Sequence, residues 1–141
     1  DVHGVSTYQD YFRTCTLIFA KECNEKEIRK AIEQGRTLAF GANNVMGDKK
    51  LLTDLFNASI TATIIQEEKD GKRVLMLTNT SSIPYHIRRG KKGMGLHLEP
   101  FRSGTVELKP GQQPEYFVTN MWYGDKENQN SANPKILIEL D

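Results

Sequence analysis

The chain has 141 residues, enough for one ordinary domain or for two small units that share an interface. Hydrophobic residues make up 38 % of it, charged residues make up 26 %, and the formal net charge is +1. This balance excludes a strongly basic nucleic-acid-binding protein, and no apolar run approaches the roughly 18 residues that a membrane-spanning helix needs. We interpret the one dense basic run, residues 88–92, as a solvated hairpin loop, because it lacks the interleaved aromatic residues typical of single-stranded nucleic-acid binding.

The chain opens on an Asp-x-His motif formed by Asp1 and His3. In an extended segment, side chains two positions apart point to the same side, so this carboxylate and this imidazole can reach one metal ion together. A catalytic zinc-type site uses three protein ligands and an open position. The motif therefore predicts part of a metal site and leaves the third ligand to be found elsewhere.

The next segment has the pattern of a strand, a helix and a second strand. Residues 14–20 form a nearly continuous apolar run, which predicts a strand buried on both faces. Asn24 is a predicted helix N-cap, Glu27 completes a capping box, and Gly35 predicts a left-handed C-terminal cap. With a strand over residues 36–40, the pattern predicts a compact βαβ unit with a right-handed crossover.

The two cysteines lie on either side of the apolar residues 17–20 of the first predicted strand. If that segment is extended at ~3.3 Å per residue, Cys15 and Cys23 lie roughly 25 Å apart. A disulfide joins Cα atoms only about 6 Å apart. We therefore predict free thiols, and cysteine usage does not indicate a cellular compartment.

A second predicted helix precedes a change of pattern. Asp48 is its predicted N-cap and Asn57 its predicted end, while residues 43–47 read as a connector. Its apolar stripe, which we expect to pack against the domain that follows, consists of Leu51, Leu52, Leu55 and Phe56.

From Ala58 onward the sequence indicates short strands separated by turns. Residues 60–64 alternate in polarity, and Asp70-Gly71 is a strong hairpin signal that leads into a second strand over residues 73–78. Five further strands are predicted near residues 85–88, 96–99, 105–108, 115–120 and 135–140. About seven short strands favour an immunoglobulin-like β-sandwich, although the Cys…Trp…Cys core of antibody domains is missing. Residues 124–134 are polar and predict a mobile loop.

Four side chains in the strand-rich part are candidates for function. His86 and His97 fall in predicted strands, where they can share a metal ion only if they are cross-strand neighbours. Trp122 and Tyr123 follow a predicted strand. Aromatic side chains at the rim of a sandwich can contact a partner, and the alternative is that Trp122 folds back over the end of the core.

The residues before Ala58 resemble the end of a PHP domain, the metal-dependent phosphoesterase fold of polymerase and histidinol phosphatases. The similar features are the Asp1-Val2-His3 motif, the strand within residues 16–22, and the helix that ends in Ala31-Ile32-Glu33-Gln34-Gly35-Arg36-Thr37. In that family, a distorted β/α barrel holds divalent metal ions, and an Asp-x-His motif near its end supplies ligands. Other ligands of the family, including a His-x-His motif, do not occur in this chain.

The resemblance implies a fold, a division into domains and a function. Residues 1–57 would be the tail of the barrel, and residues 58–141 would be an accessory immunoglobulin-like β-sandwich, so the expected fold class is α+β: a short βαβα segment packed on a sandwich. In the longer protein, Asp1 and His3 would bind divalent zinc, manganese or iron, with no metal expected in this chain alone, and Arg36 would contact a substrate phosphate. A structural ion pair of Arg36 with Glu22 or Glu33 is the alternative from the residues themselves.

Two partners and one competing function complete the expectation. The resemblance implies that the N-terminal part of the barrel is the main partner and that a phosphorylated small molecule is the substrate of the longer protein. It also suggests a periplasmic or extracytoplasmic location. The chain on its own would then be inactive. The competing interpretation is a non-enzymatic binding module of an exported bacterial protein, with Trp122 and Tyr123 at its contact surface.

Overall fold

A computed structural model describes residues 14–90, 92–125 and 130–140 as a predominantly β structure with two helices. The chain order is β1 (Cys15–Ile18), α1 (Glu25–Glu33), β2 (Thr37–Gly41), β3 (Asn44–Met46), α2 (Lys49–Ser59), β4 (Ile60–Glu67), β5 (Arg73–Asn79), β6 (Tyr85–Arg88), β7 (Leu96–Leu98), β8 (Ser103–Leu108), β9 (Glu115–Val118), β10 (Met121–Asp125), β11 (Asn130–Ala132) and β12 (Lys135–Leu137). The α+β class is confirmed.

Both helices begin at the residues that the sequence predicts. The Asn24 side chain accepts a hydrogen bond from the Glu27 amide at 2.9 Å, and the Asp48 side chain accepts one from the Leu51 amide at 3.1 Å. Each bond satisfies one of the amides that the first turn of a helix leaves without a partner. Gly35 ends α1 with a φ of 66°, a left-handed conformation that favours glycine.

The predicted right-handed crossover between the first two strands is wrong, because β1 and β2 are antiparallel. The chain between Ile18 and α1 has six residues, long enough to span about 20 Å when extended. The nine residues of α1 rise about 14 Å and return the chain to the end of β1. There the Phe19 amide donates to the Arg36 carbonyl at 3.0 Å, which sets the antiparallel start of β2.

The predicted connector over residues 43–47 is also wrong, because it contains strand β3. This strand pairs antiparallel with β2 and parallel with β10. The resulting sheet, ordered β1-β2-β3-β10-β11, draws strands from both sides of residue 57. The division into units of residues 1–57 and 58–141 stays a prediction.

The remaining strands form two sheets, ordered β12-β9-β6-β7 and β4-β5-β8. Their buried residues belong to one hydrophobic core that also includes Leu52 and Phe56 of α2. The predicted packing of α2 against the strand-rich part is therefore confirmed. All seven strands predicted beyond Ala58 are present, and the immunoglobulin-like topology stays a prediction.

One prediction for the end of the chain is corrected by the structure, and one for the cysteines is confirmed. The predicted loop over residues 124–134 is interrupted by β11, which pairs with β10. Cys15 and Cys23 are free and exposed, as predicted. Within the described residues, neither helix has the length and apolar character needed to cross a membrane.

Candidate functional site

His86 and His97 are cross-strand partners on the antiparallel pair β6–β7. Their neighbours in the same two strands, Tyr85, Ile87 and Leu98, are buried in the core. Because side chains alternate between the two faces of a strand, both histidines project from the outer face of the sheet. Their rings are stacked, with centroids 4.0 Å apart and planes inclined by 12°.

Glu99 joins this pair at the end of β7. It lies two residues after His97 and is therefore placed on the same side of an extended chain. One ligand atom from each of His86, His97 and Glu99 lies within 4.8 Å of the other two. We call these three residues the His–His–Glu cluster. His86 is half-buried, while His97 and Glu99 are exposed, so solvent reaches the cluster from the side of β7.

Both backbone groups of His86 form hydrogen bonds with the residues that follow β9. Its amide donates to Asn120 Oδ1 at 2.9 Å, and its carbonyl accepts from the Thr119 amide at 2.8 Å and from Thr119 Oγ1 at 3.2 Å. Asn120 is itself buried and donates to the carbonyls of Asn43 and Pro84 at 2.8 and 2.7 Å. The position of His86 is therefore tied to the loop before β3 and to the start of β6.

The electrostatic environment favours the neutral form of His86. Burial lowers the pKa of His86 from its ordinary value of 6.5, and the neighbouring His97 lowers it further, while Glu99 acts in the opposite direction. Thr119 and Asn120, which bond its backbone on the other side, carry no charge. A neutral imidazole keeps one nitrogen free to accept a proton or a metal ion.

This lowered pKa predicts a pH-dependent stability. Above about pH 7, His86 is neutral in both the folded and the unfolded chain and contributes nothing. As the pH falls through 6.5, the unfolded chain binds the proton first, so the free energy of unfolding decreases until the folded-state pKa is also passed. In urea titrations with EDTA between pH 7.5 and 5, we expect wild type to lose stability more steeply than His86→Gln. Equal slopes for wild type and His86→Gln would contradict the prediction.

The sequence identified both histidines but did not reveal their register or the role of Glu99. The pairing of His86 with His97 depends on the register of β6 against β7, which strand propensity does not specify. Glu99 was missed as a site residue. The signal for it was present, since His97-Leu98-Glu99 has the period of two that places ligands on one face of a strand.

Arg36 lies at the start of β2, next to the end of β1. Its amide donates to the Ala31 carbonyl at 2.9 Å, and its buried Nε atom makes no hydrogen bond in the structure. Within the described part of the chain, no ion pair joins Arg36 to Glu22 or Glu33, which were its predicted structural partners. Its contact with a phosphate stays a prediction.

Trp122 and Tyr123 lie on β10 and are both half-buried. The indole Nε1 of Trp122 donates to Asn44 Oδ1 at 2.9 Å, and Lys49 Nζ lies 5.1 Å from the centre of the Tyr123 ring. Asn44 and Lys49 belong to the segment before residue 57, so these aromatic residues contact that segment. Asp1 and His3, the predicted metal ligands, lie outside the described residues.

The fold is similar to that of a solved two-domain protein from Bacteroides vulgatus, which contains a predicted PHP-like metal-dependent phosphoesterase. The similarity has a TM-score of 0.69 at 21 % sequence identity, and it covers 87 % of this chain. It covers 38 % of that protein, so this chain corresponds to well under half of its length. No protein-family model and no curated protein matches the chain. At this identity the similarity establishes a shared fold.

Proposed function

We propose that this chain is the C-terminal part of a PHP-like metal-dependent phosphoesterase that hydrolyses a phosphate ester. The observation that carries the proposal is the similarity in fold to the two-domain protein from Bacteroides vulgatus, together with the small share of that protein which this chain covers. The Asp-x-His motif of Asp1 and His3 supports the same assignment, because it has the form of a ligand pair in that family.

In this proposal the chain contributes ligands and one cationic side chain to a centre completed by the longer protein. Asp1 and His3 would hold divalent zinc, manganese or iron, which generate a hydroxide nucleophile and neutralise phosphate charge when bound. Arg36 would offer its planar guanidinium to the phosphate oxygens, where it can form two parallel hydrogen bonds. The strand-rich part would be an accessory module beside that centre.

Exposed apolar side chains before residue 57 support the proposal that a barrel in the longer protein packs against this segment. Ile18 of β1 is 39 % exposed and Ile32 of α1 is 53 % exposed. Burying such a side chain stabilises a fold by roughly 1.5–3 kcal/mol, so a barrel packed against β1 and α1 would gain from covering both. Leu17 and Phe19 already pack against the core from the other side.

The assignment is tested in the longer protein that contains residues upstream of Asp1. We expect that sequence to include a His-x-His motif and the protein to release phosphate from a simple phosphomonoester in the presence of manganese or zinc. Asp1→Asn and His3→Ala should each lower kcat/KM by about 100-fold or more, because removal of a metal ligand disrupts the centre.

A matched variant separates loss of the centre from a general defect. Asp54→Asn makes the same change as Asp1→Asn at an exposed position on α2, and it should leave the phosphatase activity at the wild-type level. Full activity of both Asp1→Asn and His3→Ala, or absence of a His-x-His motif upstream, would contradict the proposed function.

A further inference from the structure

We propose that the His–His–Glu cluster on the outer face of β6–β7 is a second metal site, for a divalent late transition-metal ion of the zinc class. The cluster lies in the accessory part of the chain and shares no residue with the Asp1–His3 motif. Two imidazoles and one carboxylate form a ligand set that zinc accepts, with the fourth position left to solvent. The inference does not depend on the proposed phosphoesterase function.

The distances in the cluster are within reach of coordination, and both imidazole rings must also rotate out of their stack, because the lone pairs that bind a metal lie in the ring planes. Two donors bound to one zinc ion at ~2.0–2.1 Å lie about 3.4 Å apart in a tetrahedral arrangement. In the structure, the three ligand atoms lie within 4.8 Å of one another. Each donor must therefore move by about 1 Å or less toward a common centre. His97 and Glu99 are exposed, so their side chains can make this movement without displacing the core.

The pairing of β6 with β7 fixes the backbone positions of both histidines before any ion binds. The pairs Tyr85–Leu98 and His86–His97 are in register, and the buried side chains of Tyr85 and Leu98 anchor both strands in the core. Directly opposed residues in an antiparallel pair have Cβ atoms about 4.5–5.5 Å apart, which suits two histidines sharing one ion. Metal binding then costs little beyond the ordering of three side chains.

The ligand chemistry selects the class of ion. Imidazole nitrogen suits zinc, nickel and copper, whereas magnesium and calcium prefer sites built from oxygen ligands. The cluster offers two imidazole nitrogens and one carboxylate oxygen as ligands. We therefore expect zinc to bind and magnesium to leave the cluster unchanged.

The alternative is that the stacked histidines are a surface pair that binds no metal, and two measurements distinguish the cases. The first is calorimetric titration of the 141-residue chain with zinc in a His3→Ala background, which leaves His86 and His97 as the remaining histidines. The second follows the imidazole resonances of both residues by NMR during the same titration. We expect one zinc ion per chain and shifts or broadening at both rings, with no response to magnesium.

Variants of the exposed ligands then test the geometry. We expect His97→Thr to raise the zinc Kd at least tenfold, and Glu99→Gln to raise it by about threefold to tenfold, since an amide oxygen is a weaker ligand than a carboxylate. Threonine is favoured in strands, so circular dichroism and the thermal midpoint in EDTA should match those of the parent chain. An unchanged zinc Kd in His97→Thr, or zinc shifts confined to one histidine, would overturn the proposal.

Measurements of phosphate release and of zinc binding separate this site from the proposed phosphoesterase centre. Zinc binding at His86 and His97, combined with full phosphate release by both Asp1→Asn and His3→Ala, would refute the proposed function and leave the zinc site standing. Loss of activity on Asp1→Asn, with no zinc response at His86 and His97, would do the reverse.

Discussion

Replacing Phe56 with alanine should lower the free energy of unfolding by about 3–5 kcal/mol, the usual range for removing a buried aromatic ring. Phe56 is 0 % exposed, and its ring meets the edge of Tyr85 with centroids 5.1 Å apart and planes at 84°. The substitution therefore removes an aromatic contact as well as buried area, and it leaves a cavity between α2 and β6. Urea denaturation followed by tryptophan fluorescence and by circular dichroism measures the loss.

The same experiment tests whether the chain unfolds as one unit. Since Phe56 and the strands after α2 share one core, both probes should report a single transition at one midpoint, before and after the substitution. Phe101→Ala is the matched control, because Phe101 is 68 % exposed and its loss should change stability by less than about 0.5 kcal/mol. Separate midpoints for the two probes in wild type would contradict a single cooperative unit.

Replacing Asn120 with alanine should cost about 2–4 kcal/mol, because its amide group satisfies buried backbone groups that would lose their partners. Asn120 is 4 % exposed and bonds the His86 amide and the carbonyls of Asn43 and Pro84. These bonds join the loop before β3 to the strand that carries His86. The expected loss is therefore larger than that of one surface hydrogen bond, and it is measured by urea denaturation in EDTA.

Hydrogen exchange adds a local measurement for the same variant. We expect the His86 amide to exchange faster in Asn120→Ala than can be explained by the lower global stability, because the side-chain acceptor of its hydrogen bond has been removed. Asn57→Ala removes an amide from a half-exposed position on α2 and should change stability by less than about 0.5 kcal/mol. An equally small effect of Asn120→Ala would contradict the proposed role of its hydrogen bonds.

Local features of this fold could be predicted from the sequence because their physical causes lie within a few residues. The caps at Asn24 and Asp48 depend on a side chain that reaches an amide three positions later. The turn at Gly71 needs a positive φ, and the structure has 87° there. The alternation of Ile60 and Ala62 with Thr61 in β4 follows from one buried and one solvated face, so this strand could be predicted from its own sequence.

Local sequence was therefore enough to locate the helices and most strands and to place two histidines in strands. It was wrong about burial in the first strand, which was predicted to be buried on both faces and is mostly exposed, with Ile18 at 39 %. Only the tertiary structure decided the antiparallel pairing of β1 with β2, the insertion of β3 beside β10, and the register that stacks His86 on His97. Strand pairing and register depend on which strand edges are available in the folded chain and on which arrangement buries the most apolar area. Both are properties of the whole chain. For the same reason, Glu99 is recognisable as a partner of both histidines only after β6 and β7 are placed side by side.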